Sequence, residues 1–135
     1  KTRPFLPGAI SALDCLAAHY PIGIVTGSFR REVLFVLRLM GKDADFCPVV
    51  SSEDVTRGKP DPEPYQRGAR LLHLLPGNIL VFEDSSAGIA SAKAAGCYCV
   101  AVRAGAYPDA DLSRADRIID TLEIVTPDFV SRFAS

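Results

Sequence analysis

The chain predicts an α/β fold with a parallel sheet covered on both faces, and three observations carry that prediction. Short apolar runs at 22–25, 46–50, 79–82 and 98–102 alternate with stretches whose apolar residues recur at helical spacing. The segments joining the runs are long enough for crossover helices, which parallel pairing requires. The run at 79–82 stops abruptly at Glu83-Asp84 and continues into Ser85-Ser86-Ala87-Gly88, a corner between a strand and a helix. In an open parallel sheet ligands bind beyond the carboxyl ends of the strands, so the pattern that predicts the fold also marks where chemistry belongs.

The first helix is expected at 9–20, introduced by Pro7-Gly8, with Ile10, Leu13, Leu16 and Ala17 on one face and Pro21 as its stop. After the run at 22–25 comes Thr26-Gly27-Ser28, then helical spacing over 29–40 through Val33, Val36, Leu37 and Met40, closed by Gly41. The run at 46–50 is interrupted by Pro48 and reads as an edge strand, followed by polar, irregular chain over 51–59. Pro60-Asp61-Pro62-Glu63-Pro64 has the proline and acid content of a helix start, and 65–75 supplies the helix, with Ala69, Leu72 and Leu75 on its stripe. Pro76-Gly77-Asn78 turns the chain into the strand before Glu83, Ser86 to Ala95 is an alanine-rich helix ended by Gly96, and Tyr98 to Val102 is the next strand. A loop over 104–116, a short edge strand at 117–119 and a helix over 127–133 complete the order.

With 135 residues, 48% of them apolar, and a formal net charge of -1, the chain reads as one domain over 1–135 with a core. That charge balance suggests no nucleic-acid or membrane partner, no apolar run is long enough to span a bilayer, and the expected location is cytoplasmic. Cys15, Cys47, Cys97 and Cys99 lack paired metal spacing and are expected to be small buried hydrophobes, with Cys97 and Cys99 on one strand face. His19 and His73 stand apart from any ligand cluster.

Three strand-end features carry candidate chemistry. Glu83 and Asp84 repel each other unless a cation lies between them, and hard divalent ions such as Mg²⁺ take carboxylate oxygens; the competing reading is that Asp84 or Ser85 caps the next helix. Thr26, Gly27 and Ser28 offer hydroxyls and backbone N–H groups to an anion at a helix start, against ordinary capping by Ser28. Lys59, between Gly58 and Pro60, is a fixed cation before a helix, against a solvated lysine. Taken together, a hydroxyl, a lysine and a carboxylate pair in this order form a phosphate-and-metal site.

Residues 22–28, Gly58-Lys59-Pro60-Asp61-Pro62 and 81–88 closely resemble the second, third and fourth motifs of the haloacid dehalogenase superfamily, nearest to its phosphoglycolate phosphatase and β-phosphoglucomutase branch. The similarity runs from Pro7-Gly8 to about Val102. The resemblance implies a Rossmann-like three-layer α/β/α sandwich and Mg²⁺-dependent phosphoryl transfer through an aspartyl-phosphate on a small phosphorylated metabolite, by hydrolysis or phosphomutation. It also implies that Thr26 hydrogen-bonds the transferring phosphoryl group, Gly27 and Ser28 line its approach, Lys59 neutralises phosphate and nucleophile charge, Glu83 and Asp84 hold Mg²⁺ directly or through water, and Ser85 supports that shell.

The chain departs from the family where members open with a strand ending in Asp-x-Asp-Gly-Thr. Asp14 sits mid-helix, Asp43-Ala44-Asp45 has no apolar strand before it, and Asp109-Ala110-Asp111 follows a proline loop. The helical cap of this branch is missing too, and the chain begins at Lys1. It therefore reads as a carboxyl-terminal, partial core that is inactive by itself. A non-catalytic binding or interaction module is the alternative; dehalogenation fits less well, because that chemistry does not use the acidic pair. Two expectations about structure follow. Thr26, Lys59, Glu83 and Asp84 should meet in one pocket, and the strands ending at Val25 and Glu83 should stay about 9–10 Å apart, unpaired, with edges open to self-association.

Overall fold

A computed structural model describes residues 9–133, and of Ala9 and Ile10 only the backbone. Pro7-Gly8 lies outside the described residues. The elements run α1 (Ala9–Ala17), β1 (Ile24–Val25), α2 (Arg30–Leu39), β2 (Val49–Val50), α3 (Glu63–Leu72), β3 (Leu80–Glu83), α4 (Ser86–Ala95), β4 (Tyr98–Val102), β5 (Arg117–Ile119) and α5 (Pro127–Ser131). All strand pairs are parallel: β1 pairs with β2, β3-β4-β5 form a separate sheet, and the strands ending at Val25 and Glu83 are not paired with each other, as expected.

Alternation along each strand builds the layers. In the larger sheet, Val81, Cys99 and Ala101 face α3 and α4 through Tyr65, Ile89 and Ala92. Leu80, Phe82, Val100, Val102 and Ile119 face the other way, against Ala12 and Leu16 of α1 and Phe129 of α5. The smaller sheet packs Ile24 and Val49 on Val33 and Leu37 of α2. Helix α3 spans both sheets: Tyr65 packs in the core of the larger one, while a Cβ at Gly68 would stand 3.2 Å from Val25 Cγ2 of the smaller one. The result is the three-layer α/β/α arrangement that the sequence predicts.

Helix ends follow local chemistry. Gly96, at φ 94°, closes α4 in the left-handed region that a glycine enters without penalty. Ser85 Oγ caps the start of α4 by accepting from the Gly88 N–H at 3.0 Å. Helix α2 begins after Phe29, not at Ser28, and the Phe29 N–H is satisfied by Glu32 at 2.8 Å.

Several boundaries differ from the sequence expectation. Of 22–25 only Ile24–Val25 pairs, and of 46–50 only Val49–Val50, because Pro48 has no N–H and supplies only its carbonyl, to Ile24 at 2.9 Å. Helix α1 ends at Ala17, before Pro21. Helix α3 begins earlier than expected and ends at Leu72, closed by a left-handed His73, so Leu75 lies outside it and is 73% exposed instead of on its buried stripe. Cys47, Cys97 and Cys99 are buried, whereas Cys15 is exposed.

Candidate functional site

The carboxyl ends of β1 and β3 border a cleft of about 270 Å³ lined by Val25, Thr26, Lys59, Phe82, Glu83, Asp84, Val102 and Leu122. Lys59 reaches it from a loop that is firmly anchored. The Glu63 carboxylate accepts from the Thr56 and Arg57 N–H groups, at 2.9 Å each, and these bonds hold its pKa below the usual carboxylate range. Asp61 accepts from the Glu63 N–H at 2.9 Å, and its carbonyl accepts from Ser91 Oγ of α4 at 2.6 Å. The Lys59–Pro60 peptide between these anchors is cis.

From this loop the Lys59 ammonium donates to the Val25 carbonyl at 3.2 Å and to Glu83 Oε2 at 2.5 Å, so it bridges the two sheets at their carboxyl ends. Glu83 shares the buried face of β3 with Val81 and points into the α3/α4 layer, where it is 7% exposed. There Oε2 also accepts from the Tyr65 hydroxyl. Burial, then the Glu83 charge, push the Tyr65 phenol well above its ordinary value, so it stays protonated and donates. The carboxylate rests against Gly88 so closely that a Cβ there would overlap it.

Asp84 follows on the other side of the strand and is half-buried at the cleft. Burial, and then the neighbouring Glu83 charge, raise its pKa above the ordinary carboxylate value despite opposition from Lys59. A carboxylate in that situation is short of positive charge, which fits a hard cation. Glu83 Oε2 is committed to Lys59 and Tyr65, which leaves Oε1 as its remaining acceptor for a cation. Among the described residues no three His, Cys, Asp or Glu side chains gather in a way that could hold a metal ion.

Thr26 lines the cleft, whereas Gly27 and Ser28 are exposed and outside its lining. Thr26 Oγ1 accepts from the Ser28 N–H at 3.1 Å, and the first N–H of α2, on Arg30, goes to Glu53 at 3.0 Å. The expected cradle at the start of α2 is therefore partly taken by the protein's own oxygens; the Gly27 N–H has no partner among the described residues. Ser85 caps α4 and does not line the cleft.

Two members of the site are given no role by sequence reasoning. Tyr65 reads only as a helix residue, and Gly88 falls inside the 81–88 motif without an assigned function. The signal for Gly88 was available: a glycine inside a helix costs about 1 kcal/mol relative to alanine and marks a close approach. The signal for Tyr65 was a phenol on a core-facing stripe, which needs an acceptor.

Comparison with known proteins agrees with this geometry. The family described as haloacid dehalogenase-like hydrolase matches residues 1–102. Hexitol phosphatase A of Escherichia coli K12 is 39% identical over 122 residues, which cover 90% of this chain and 56% of that protein. Beta-phosphoglucomutase of Bacillus subtilis is 34% identical over 100 residues, covering 74% and 44%. Among solved structures, beta-phosphoglucomutase (pgmB) from Clostridium difficile superposes with a TM-score of 0.77 at 26% identity, covering 96% of this chain and 56% of that one. The chain spans about half the length of the curated relatives it matches.

Proposed function

This chain belongs to the haloacid dehalogenase-like hydrolases, and from that premise we propose that its cleft is part of a Mg²⁺-dependent phosphohydrolase or phosphotransferase site for a small phosphorylated metabolite, such as a sugar phosphate. The observation that carries this reading is the Lys59 ammonium held between the Val25 carbonyl and Glu83, beside Thr26 and Asp84. Phosphoryl transfer depends on positioning and on neutralising charge that spreads over the phosphoryl oxygens. Lys59 supplies a fixed positive charge, the Thr26 hydroxyl and the Gly27 N–H supply donors, and Ser28 borders the approach. Asp84 holds the cation, while Glu83 acts first as the counterion of Lys59. Mg²⁺ bound there adds charge neutralisation that one lysine cannot provide alone.

The aspartate that accepts the phosphoryl group comes, in this reading, from outside these 135 residues, which form a partial core. The chain alone then releases no phosphate from phosphate esters. The four cysteines, none of them in a disulfide, suit a cytoplasmic location. The unpaired edges of β1 and β3 favour self-association, which sedimentation velocity at several concentrations reads as a shift toward larger species.

Titration of the isolated chain with Mg²⁺, followed by backbone NMR, tests the site. Weak binding that moves the Asp84 and Thr26 amide signals and vanishes in Asp84→Asn is the expected result. Tight binding that survives Asp84→Asn overturns the assignment. Phosphate release from sugar phosphates by the isolated chain, abolished in Lys59→Ala, overturns the claim that an outside aspartate is needed.

A further inference from the structure

We propose that Tyr65 is a positioning residue: its hydroxyl fixes the Glu83 carboxylate and, through it, holds the Lys59 ammonium at the open end of β1. The role of that ammonium in binding phosphate rests on the proposed function; the clamp itself rests on geometry.

Three contacts converge on one carboxylate. Oε2 of Glu83 takes both the Tyr65 hydroxyl and Lys59 Nζ, the latter at 2.5 Å, and the same group lies against the bare Cα of Gly88. The Tyr65 ring also stands under the ammonium, with its centroid 5.4 Å from Nζ, so one side chain touches both members of the ion pair. Tyr65 is 7% exposed and otherwise surrounded by apolar neighbours such as Val81, Ile89 and Cys99. Phenylalanine fills the same space there without a hydroxyl to satisfy, so the hydroxyl is explained by its acceptor. The frame beneath it is rigid, because the start of α3 is tied to the 56–57 backbone by Glu63 and to α4 by Ser91.

The clamp decides what Lys59 can offer. An ammonium has three N–H donors. One goes to the Val25 carbonyl and one to Glu83, which leaves one without a partner among the described residues. A lysine held by two fixed acceptors presents its third donor to an anion with little loss of side-chain freedom. Without the tyrosine hydroxyl, the carboxylate can swing and the lysine with it.

The test is competitive acylation of lysines with trace acetic anhydride, read by mass spectrometry as the rate at Lys59 relative to Lys93. Lys93 is a suitable reference because Asp116 and the Cys97 carbonyl hold it at a separate place. In Tyr65→Phe, which keeps the ring, the Lys59/Lys93 ratio rises several-fold. A merely structural tyrosine exposes both lysines together, so an unchanged ratio overturns the proposal. Gly88→Ala displaces the carboxylate from the other side and raises the same ratio. Because both lesions act through Glu83, the double variant shows no more than the larger single effect, and multiplied effects overturn the proposal. Inorganic phosphate tests the functional reading separately: if it fails to slow Lys59 acylation in the unaltered chain while the Tyr65→Phe effect stands, the phosphate reading falls and the clamp survives.

Discussion

The β3-β4-β5 sheet and the β1-β2 pair come from apolar runs of similar composition, yet they end up very different. Strand β4 has a hydrogen-bonded neighbour on each side, extends over five residues and buries four of them. Strand β1 has one neighbour, pairs over two residues and is only half-buried. The lesson is that an apolar run becomes a strand only as far as a partner extends: 22–25 runs over four residues, three of them apolar, but Pro48 ends the partner's ladder. Between the two regions lies the cleft, joined at its mouth by the ion pair of Lys59 and Glu83.

The sharpest way to test that seam is to remove its anion. Glu83→Ala leaves Lys59, whose side chain is 19% exposed, and the Tyr65 hydroxyl without their acceptor, and the expected loss of stability in urea unfolding is about 3–5 kcal/mol. A loss under 1 kcal/mol means that the two sheets are held together by α3 alone.

The independence of the smaller region is tested next. Leu37, 1% exposed, anchors α2 on β2, and Leu37→Ala is expected to cost about 2–5 kcal/mol. Hydrogen exchange should speed up in α2 and β2 while Val100 and Ala101 stay protected. Equal loss of protection in both regions shows that they unfold as one.

Acid separates them more gently. The Ser51 N–H, followed by the Ser51 hydroxyl and Arg30, holds Asp54 below its ordinary value of 3.8 against the opposing effect of burial. A carboxylate depressed in the folded state contributes stability that is present above its unfolded pKa and is lost as pH falls through the folded one. The smaller region should therefore weaken as pH drops below about 4, and Asp54→Asn should flatten that limb of the urea-midpoint profile. The smallest effect belongs to an exposed pair in the larger region: Arg103→Ala, which loses Asp120 at 3.2 Å with side chains 62% and 89% exposed, should change stability by less than about 0.5 kcal/mol.

The amino-acid sequence alone determined the α/β class, the parallel order, α4 and β4 to the residue, the placing of Thr26, Glu83 and Asp84 at strand ends, and that of Lys59 in the loop before a helix. These are properties of spacing along a few neighbouring residues, where the periods of helix and strand leave a direct trace. Even the inward direction of Glu83 was readable, since it alternates in step with the buried Val81. Only the tertiary structure decided that the runs at 22–25 and 46–50 pair over two residues each and that Glu83 is committed to Lys59 and Tyr65. Those partners lie 24 and 18 residues away in the chain. Whether two groups that far apart meet depends on how α3 packs across both sheets, and the short-range patterns of the sequence carry no record of that packing.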